Sequence, residues 1–167
     1  MGMRKKLFIF ENLILRRDTN SLGCIAPSIF SETDKCDRNP KIIKRPSKKK
    51  LILQRTLYQF PFLDYIYTHM FYARRRKKVQ DYPAGYIYAA HGSLIIFTNR
   101  FTKFLEKMEY PCFLFGEEIY LAEHLRKQEL KTYYDPNLLV YDSDHVSTGK
   151  MKSKVYYQYN FDSIDMI

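Results

Sequence analysis

The chain has 167 residues and a mass of 20.1 kDa, enough for one domain with a real core or for part of a larger one. A hydrophobic content of 46% and an aromatic content of 16% exclude global disorder. The 28 Lys and Arg against 18 Asp and Glu leave a net charge of +10 and a pI near 9.4, which implies an anionic partner: lipid head groups, a nucleotide diphosphate or nucleic acid.

Cys24, Cys36 and Cys112 are odd in number and lack CxxC spacing. They argue against a disulfide framework or a zinc knuckle and fit a reducing cytosol. The N-terminus is basic, but its apolar run Leu7–Phe10 stops at Glu11, too soon for a signal peptide. No stretch reaches the ~20 apolar residues of a membrane span. Even residues 51–72 are interrupted by Gln54, Arg55, Gln59, Pro61, Asp64 and His69. A cytoplasmic protein, soluble or peripheral at the inner face of a membrane, is expected.

In chain order, residues 3–17 read as a short basic amphipathic helix and Leu22–Phe30 as a strand. Residues 31–50 are rich in Ser, Asp, Asn, Pro and Lys, with turn signals at Asn39-Pro40 and Arg45-Pro46-Ser47, and predict a mobile loop. Residues 51–78 read as an aromatic and basic helical region with a break near Pro61. Asp81–Gly85 turns the chain into two short strands, Tyr86–Ala90 and Ser93–Phe97, followed by a helix over about 99–108. Phe113-Leu-Phe-Gly116 then opens a helix from Glu117 to about Leu130, with Leu121, Ala122 and Leu125 on one face. Two short β segments, 131–135 and 138–141, precede an aromatic C-terminal tail. The pattern is α/β, in a single domain or partial domain over 1–167.

Gly116 supplies a tight turn, and Glu117 and Glu118 fall where the free N–H groups and dipole of a helix start favour negative charge. Such a place keeps a carboxylate ionised and pointing outward, as a general base requires. A well-capped amphipathic helix is the competing reading.

Three blocks surround this box. Upstream is Pro83-Ala-Gly85 through His91-Gly92-Ser93 to Phe97; downstream are Tyr133-Tyr-Asp-Pro136 and Leu138–Asp142 with Ser143-Asp144-His145. Together with Leu22–Phe30, they resemble the C-terminal half of family 2 glycosyltransferases over about residues 22–150. Those enzymes show a Gly-Ser or Gly-Ala turn before an apolar strand, an aromatic-Gly-Glu-Asp box opening a helix, a Tyr-x-Pro segment, and a strand ending in a His/Ser/Thr cluster.

The resemblance implies the C-terminal portion of a GT-A-like nucleotide-diphospho-sugar transferase fold, an incomplete mixed sheet flanked by helices. It implies inverting transfer of a hexosyl-type sugar from a nucleotide-sugar to a saccharide or lipid-linked acceptor in cell-envelope or capsular polysaccharide assembly. Glu118 stands at the position of the base and Glu117 beside it. The family has Asp where Glu118 stands, a difference of one methylene, and misplacement of ~1 Å can cost ~10²-fold in rate. Where the family often has a further acid, this chain has Tyr120, and Glu123-His124 stand near its usual basic residue.

By the same resemblance, His91, Gly92, Ser93 and Gly116 would line the substrate floor, the glycine at 92 allowing close backbone approach; a simple β-turn is the rival reading. Asp142, Asp144 and His145 would approach the metal or diphosphate, although the family's own Asp-x-Asp lies before the Gly-Ser turn. A solvated turn is the alternative there. A divalent metal, Mg or Mn, is implied only for a complete enzyme.

The strand, nucleotide-binding turn and Asp-x-Asp that begin the family's fold have no counterpart before residue 22, and no Gly-rich phosphate loop occurs. A chain inactive alone is therefore expected, working with a donor-binding half encoded upstream or self-associating through an exposed sheet.

Arg74, Arg75, Arg76, Lys77 and Lys78 follow the aromatic segment from Tyr58 to Tyr72. Besides a solvated charge run, this suits contact with an anionic membrane. Nucleic-acid binding lacks a supporting motif. A basic, non-enzymatic adaptor for membrane or nucleic acid is the alternative to a transferase.

Overall fold

The computed structural model describes residues 20–72, 82–105, 109, 116–142 and 153–165. The expected helix over 3–17, Arg74–Lys78, and Asp144 and His145 lie outside these residues. The architecture is α/β, an open mixed sheet flanked by helices.

Strand β1 (Leu22–Ser31) is an almost unbroken buried run, as expected of a central strand covered on both faces. It pairs in parallel with β5 (Lys131–Asp142), from Leu22 opposite Lys131 to Ser31 opposite Asp142. The two segments expected at 131–135 and 138–141 are thus one strand. Its register shifts where Pro27 and Asp135 give way to Ser28 and Leu139. Pro136 sits in this irregularity, the setting in which a strand tolerates a residue with no N–H. Asp135 closes a local turn there, its Oδ1 accepting the Asn137 backbone N–H at 3.0 Å.

Three short strands complete the sheet. β2 (Cys36–Asp37) folds back on the end of β1, and β4 (Ile96–Phe97) runs antiparallel to Cys24 and Ile25. β3 (Gly85–Ile87) is antiparallel to β5. The strands expected at 86–90 and 93–97 are shorter because the chain between them crosses from the β5 edge to the β1 edge. Small side chains make room: Ala89 and Ala90 are buried, and Ala90 packs with Ala26 and Tyr134.

Helix α3 (Asn99–Leu105) inserts the fully buried Phe101 beside Cys24, Leu125 and Leu130. Helix α4 (Glu117–Lys127) buries Ala122 and Leu125 and packs Leu121 against the same cluster, the face its spacing predicts. Close packing of α4 on β1 depends on Gly23, where a methyl group would overlap Leu125 Cδ2 and approach Leu130 Cβ to 2.9 Å.

A second group of helices lies around α1 (Lys48–Gln59), capped by the Ser47 hydroxyl, which accepts the Lys50 N–H. Phe60 breaks the helix and Pro61 opens α2 (Pro61–Tyr67), which continues as a π turn over Thr68–Tyr72. The expected aromatic tail contains a helix, α5 (Ser153–Asp165). Its Tyr156 and Tyr157 rings each lie 6.3 Å from Tyr58, the Tyr157 hydroxyl donates to Asp64 Oδ2 at 2.8 Å, and Arg55 stacks over Phe161.

Candidate functional site

The C-terminal ends of parallel strands are where open α/β sheets gather their chemistry, because the chain leaves the sheet there and loops converge. At the ends of β1 and β5 the organising group is Asp37. Its Oδ1 accepts the backbone N–H groups of Ile29 and Asn39, both at 2.8 Å, and its Oδ2 accepts the Tyr134 hydroxyl at 2.7 Å. Asn39 is fixed in turn, donating from Nδ2 to the Pro27 carbonyl at 2.8 Å. Its Oδ1 then takes the His91 backbone N–H at 2.7 Å. The segment 31–50, expected as a mobile loop, is also joined to Ala89 by a two-way backbone bridge at Ile42.

These contacts set the tripeptide His91-Gly92-Ser93 across the site. The Ser93 hydroxyl donates to Asp142 Oδ2 at 3.1 Å, and Arg38 Nη1 donates to the same oxygen at 3.1 Å. Gly92 lies against both carboxylates of the box, and its backbone N–H hydrogen-bonds Glu118. The Glu118 carboxylate also meets Lys41 Nζ at 3.7 Å. Four segments distant in sequence thus meet here: 38–41, 91–93, 117–118 and 142.

Gly116 has φ 77°, the left-handed region that a tight turn needs and glycine adopts without strain. The two glutamates it introduces differ. Glu117 is exposed, whereas the Glu118 side chain retains only 15% of its exposure. For Glu118 this corrects the expectation of an outward, readily ionised carboxylate; Glu117 does face outward. Burial pushes the Glu118 carboxyl above its ordinary value; Lys41 opposes the shift, Glu117 adds to it, and the backbone N–H groups of Glu118 and Gly92 partly offset it. The result is a shielded carboxylate with a raised proton affinity.

His91 is driven the other way. Burial, with Lys41 and then Arg38 adding positive charge, lowers its pKa to about 4 despite the opposing charge of Asp142. The Ser93 backbone N–H donates to His91 Nδ1 at 3.2 Å, so Nδ1 is the acceptor nitrogen and Nε2 carries the proton of the neutral ring. The site therefore holds a neutral imidazole donor beside a serine hydroxyl, a buried carboxylate and two cations.

Sequence reasoning missed Asp37, Arg38, Asn39 and Lys41. Their signal, Asp-Arg-Asn-Pro-Lys between two elements, marks a turn but not what the turn faces. It also missed the anchor of that loop. Arg45 Nε and Nη2 donate to Glu123 Oε1 and Oε2 at 2.7 and 2.9 Å, Tyr88 donates to Oε1 at 2.8 Å, and Arg126 Nε donates to Oε2 at 3.0 Å. Burial pushes the Glu123 carboxyl up, but these donors outweigh it and hold the pKa down to about 2. Close to the box, Tyr120 donates its hydroxyl to the Glu109 carbonyl at 2.7 Å and stacks on His124.

A methyl group at Gly92 would sit 3.6 Å from Glu117 Oε1 and 3.9 Å from Glu118 Oε1, ordinary contacts. As to a metal, among the described residues no three His, Cys, Asp or Glu side chains form a metal-holding group. Asp142 alone of the expected donors is described, and it is engaged by Arg38 and Ser93. Comparison of the chain with protein-family models, curated proteins and solved structures finds no match.

Proposed function

We propose that the chain is the acceptor-side, catalytic-base half of an inverting glycosyltransferase of the hexosyl type, acting in cell-envelope or capsular polysaccharide assembly on the cytoplasmic side. The observation that carries the reading is the meeting of His91-Gly92-Ser93, Glu117-Glu118 and Asp142 at the ends of β1 and β5. These are three of the blocks on which the resemblance to family 2 enzymes rests, and they have no reason of sequence proximity to meet.

In the proposed reaction the acceptor oxygen attacks the anomeric carbon of a nucleotide-sugar. The new C–O bond forms as the bond to the diphosphate breaks, and the acceptor proton passes to Glu118. A carboxylate with raised proton affinity is a better acceptor of that proton than an ordinary one. Glu117, one residue away, keeps that affinity high. His91 and Ser93 supply hydroxyl-recognising groups for the sugar or its acceptor, and Gly116 sets the direction in which the box leaves its turn. A divalent metal, Mg or Mn, belongs only to the complete enzyme, where it would neutralise the departing diphosphate; of the donors the resemblance names for it, Asp142 is the one among the described residues.

The nucleotide-sugar would be held chiefly by a donor-binding half acting together with this chain. The test is release of nucleoside diphosphate from a panel of nucleotide-sugars by the purified chain, with and without an added donor-binding half. The chain alone is expected to be silent and the combination active, with Glu118→Gln reducing release by ~10³-fold. Turnover by the isolated chain, or unchanged release by the variant, overturns the reading.

A further inference from the structure

We propose that the helical arm formed by α1 and α2 is a membrane-docking surface for anionic lipid, with the side chains of Phe62, Tyr65, Ile66 and Met70 entering the interface. This does not depend on glycosyl transfer and is measured without any sugar.

The stripe is fixed by the contacts of α2. Asp64 turns inward to the Tyr157 hydroxyl. At about 100° of rotation per residue, Phe62 and Ile66 each lie about 200° from Asp64, on the opposite side of the helix. Met70 follows at the same spacing of four, on the π turn. All are exposed, Phe62 by 72% and Met70 by 63%, and Phe60, Leu63 and Tyr65 beside them are exposed as well. So large an apolar exposure within one short arm marks an interaction surface.

Charge indicates what covers it. Residues 41–78 hold twelve of the 28 Lys and Arg and one of the 18 Asp and Glu, a net +11 in a chain of net +10. The whole excess of positive charge therefore resides in this segment. Three of these residues, Lys48, Lys49 and Lys50, open α1, which has no acidic residue in its first turn. Cations at a helix N-terminus oppose the dipole, so helix stability does not account for them. An apolar stripe within the most cationic segment of the chain matches an anionic bilayer, whose phosphates meet the cations while benzyl and aliphatic groups enter the acyl boundary. The surface mixes aliphatic Leu63, Ile66 and Met70 with aromatic Phe60, Phe62 and Tyr65, a mixture that suits an acyl boundary throughout, whereas bases would stack on its aromatic members alone. Among the described residues no helix is long and apolar enough to cross a membrane.

The test is co-sedimentation of the whole chain with vesicles of phosphatidylcholine alone or with about 30 mol% phosphatidylglycerol. Binding is expected only to the anionic vesicles. It should weaken at least ~10-fold on raising salt from about 0.1 to about 0.5 M, and similarly in Lys48→Gln/Lys49→Gln/Lys50→Gln. Phe62→Ser/Ile66→Ser/Met70→Ser, equal in charge, should bind at least ~10-fold more weakly while keeping the wild-type far-ultraviolet circular dichroism. Should that variant misfold, Phe62→Trp serves instead, because the chain contains no Trp. Its emission should shift to the blue and be quenched by brominated lipid on anionic vesicles. Emission that stays at the wavelength of a water-exposed indole overturns the proposal. So does vesicle binding unaffected by the apolar variant. Capture by single-stranded RNA without vesicle binding, or a stripe-dependent dimer that ignores vesicles, overturns it in favour of nucleic acid or a second copy.

Discussion

The Ser93 hydroxyl donates to Asp142 Oδ2 at 3.1 Å across 49 residues of chain, and Arg38 reaches the same oxygen. Through this junction the end of β5 fixes the tripeptide whose middle residue borders the Glu117-Glu118 box. Ser93→Ala removes one exposed hydrogen bond and should cost about 1 kcal/mol or less in stability. If the junction aligns the tripeptide for chemistry, the same variant should lower transfer by ~10-fold or more in the complete enzyme. Thermal unfolding together with diphosphate release separates the two effects.

His91 should report its setting directly. Its folded pKa of about 4 lies below the ordinary 6.5, so the unfolded chain takes up the proton first as pH falls. This group therefore withdraws stability progressively from about pH 6.5 to about pH 4. Proton NMR of the four histidines should show one imidazole titrating near 4, missing from His91→Gln. Denaturant unfolding of that variant should lose part of the acid slope across the same window. An imidazole titrating near 6.5 in its place would contradict the half-buried, cation-flanked position.

Glu123 acts with the same sign in a lower window. Its folded pKa of about 2 lies below the ordinary 4.5, so its stabilisation is complete above about pH 4.5 and lost as pH falls toward 2. Glu123→Gln keeps the size but loses the charge that Arg45, Arg126 and Tyr88 address, and should cost about 2 kcal/mol at neutral pH. In a protein of this size that corresponds to a Tm lower by about 4–8 °C. The variant should also flatten the stability profile below pH 4.5. Because the Arg45 contact anchors the loop carrying Lys41, proteolysis within 38–47 should quicken.

Three glycines should respond differently to alanine. Gly23→Ala meets Leu125 and Leu130 and should cost about 1–3 kcal/mol by overpacking. Gly116→Ala strains a left-handed backbone and should cost about 1 kcal/mol. Gly92→Ala makes ordinary contacts and should fall within about 0.5 kcal/mol of wild type. Urea midpoints for the three variants test this order.

The elements that could be read from sequence are those whose own periodicity decides them. Leu121, Ala122 and Leu125 placed α4, and the apolar run from Leu22 placed β1, because each buries a face that its spacing defines. β5 was divided at Pro136 because the bulge that admits a proline depends on the neighbouring strand. α5 escaped because Tyr156, Tyr157 and Phe161 meet a tyrosine, an aspartate and an arginine rather than a uniform apolar surface. Adjacent helix residues point about 100° apart, so only one of Glu117 and Glu118 could turn inward, and tertiary contact alone selects Glu118. The cationic side of the site, Arg38 and Lys41, is set by the Asp37 and Asn39 hydrogen bonds, which no local pattern announces.

The most direct measurement is made in the native host, replacing Glu118 by Gln in the chromosome and determining the sugar composition of the envelope polysaccharide. The substitution removes a buried charge whose ionised form the fold disfavours, so the protein should accumulate at wild-type level or above. Loss of one sugar, with everything attached after it, is expected despite a normal amount of the chain. An unchanged polysaccharide, with the variant present at wild-type level, would contradict the assignment of Glu118 as the base and with it the proposed function.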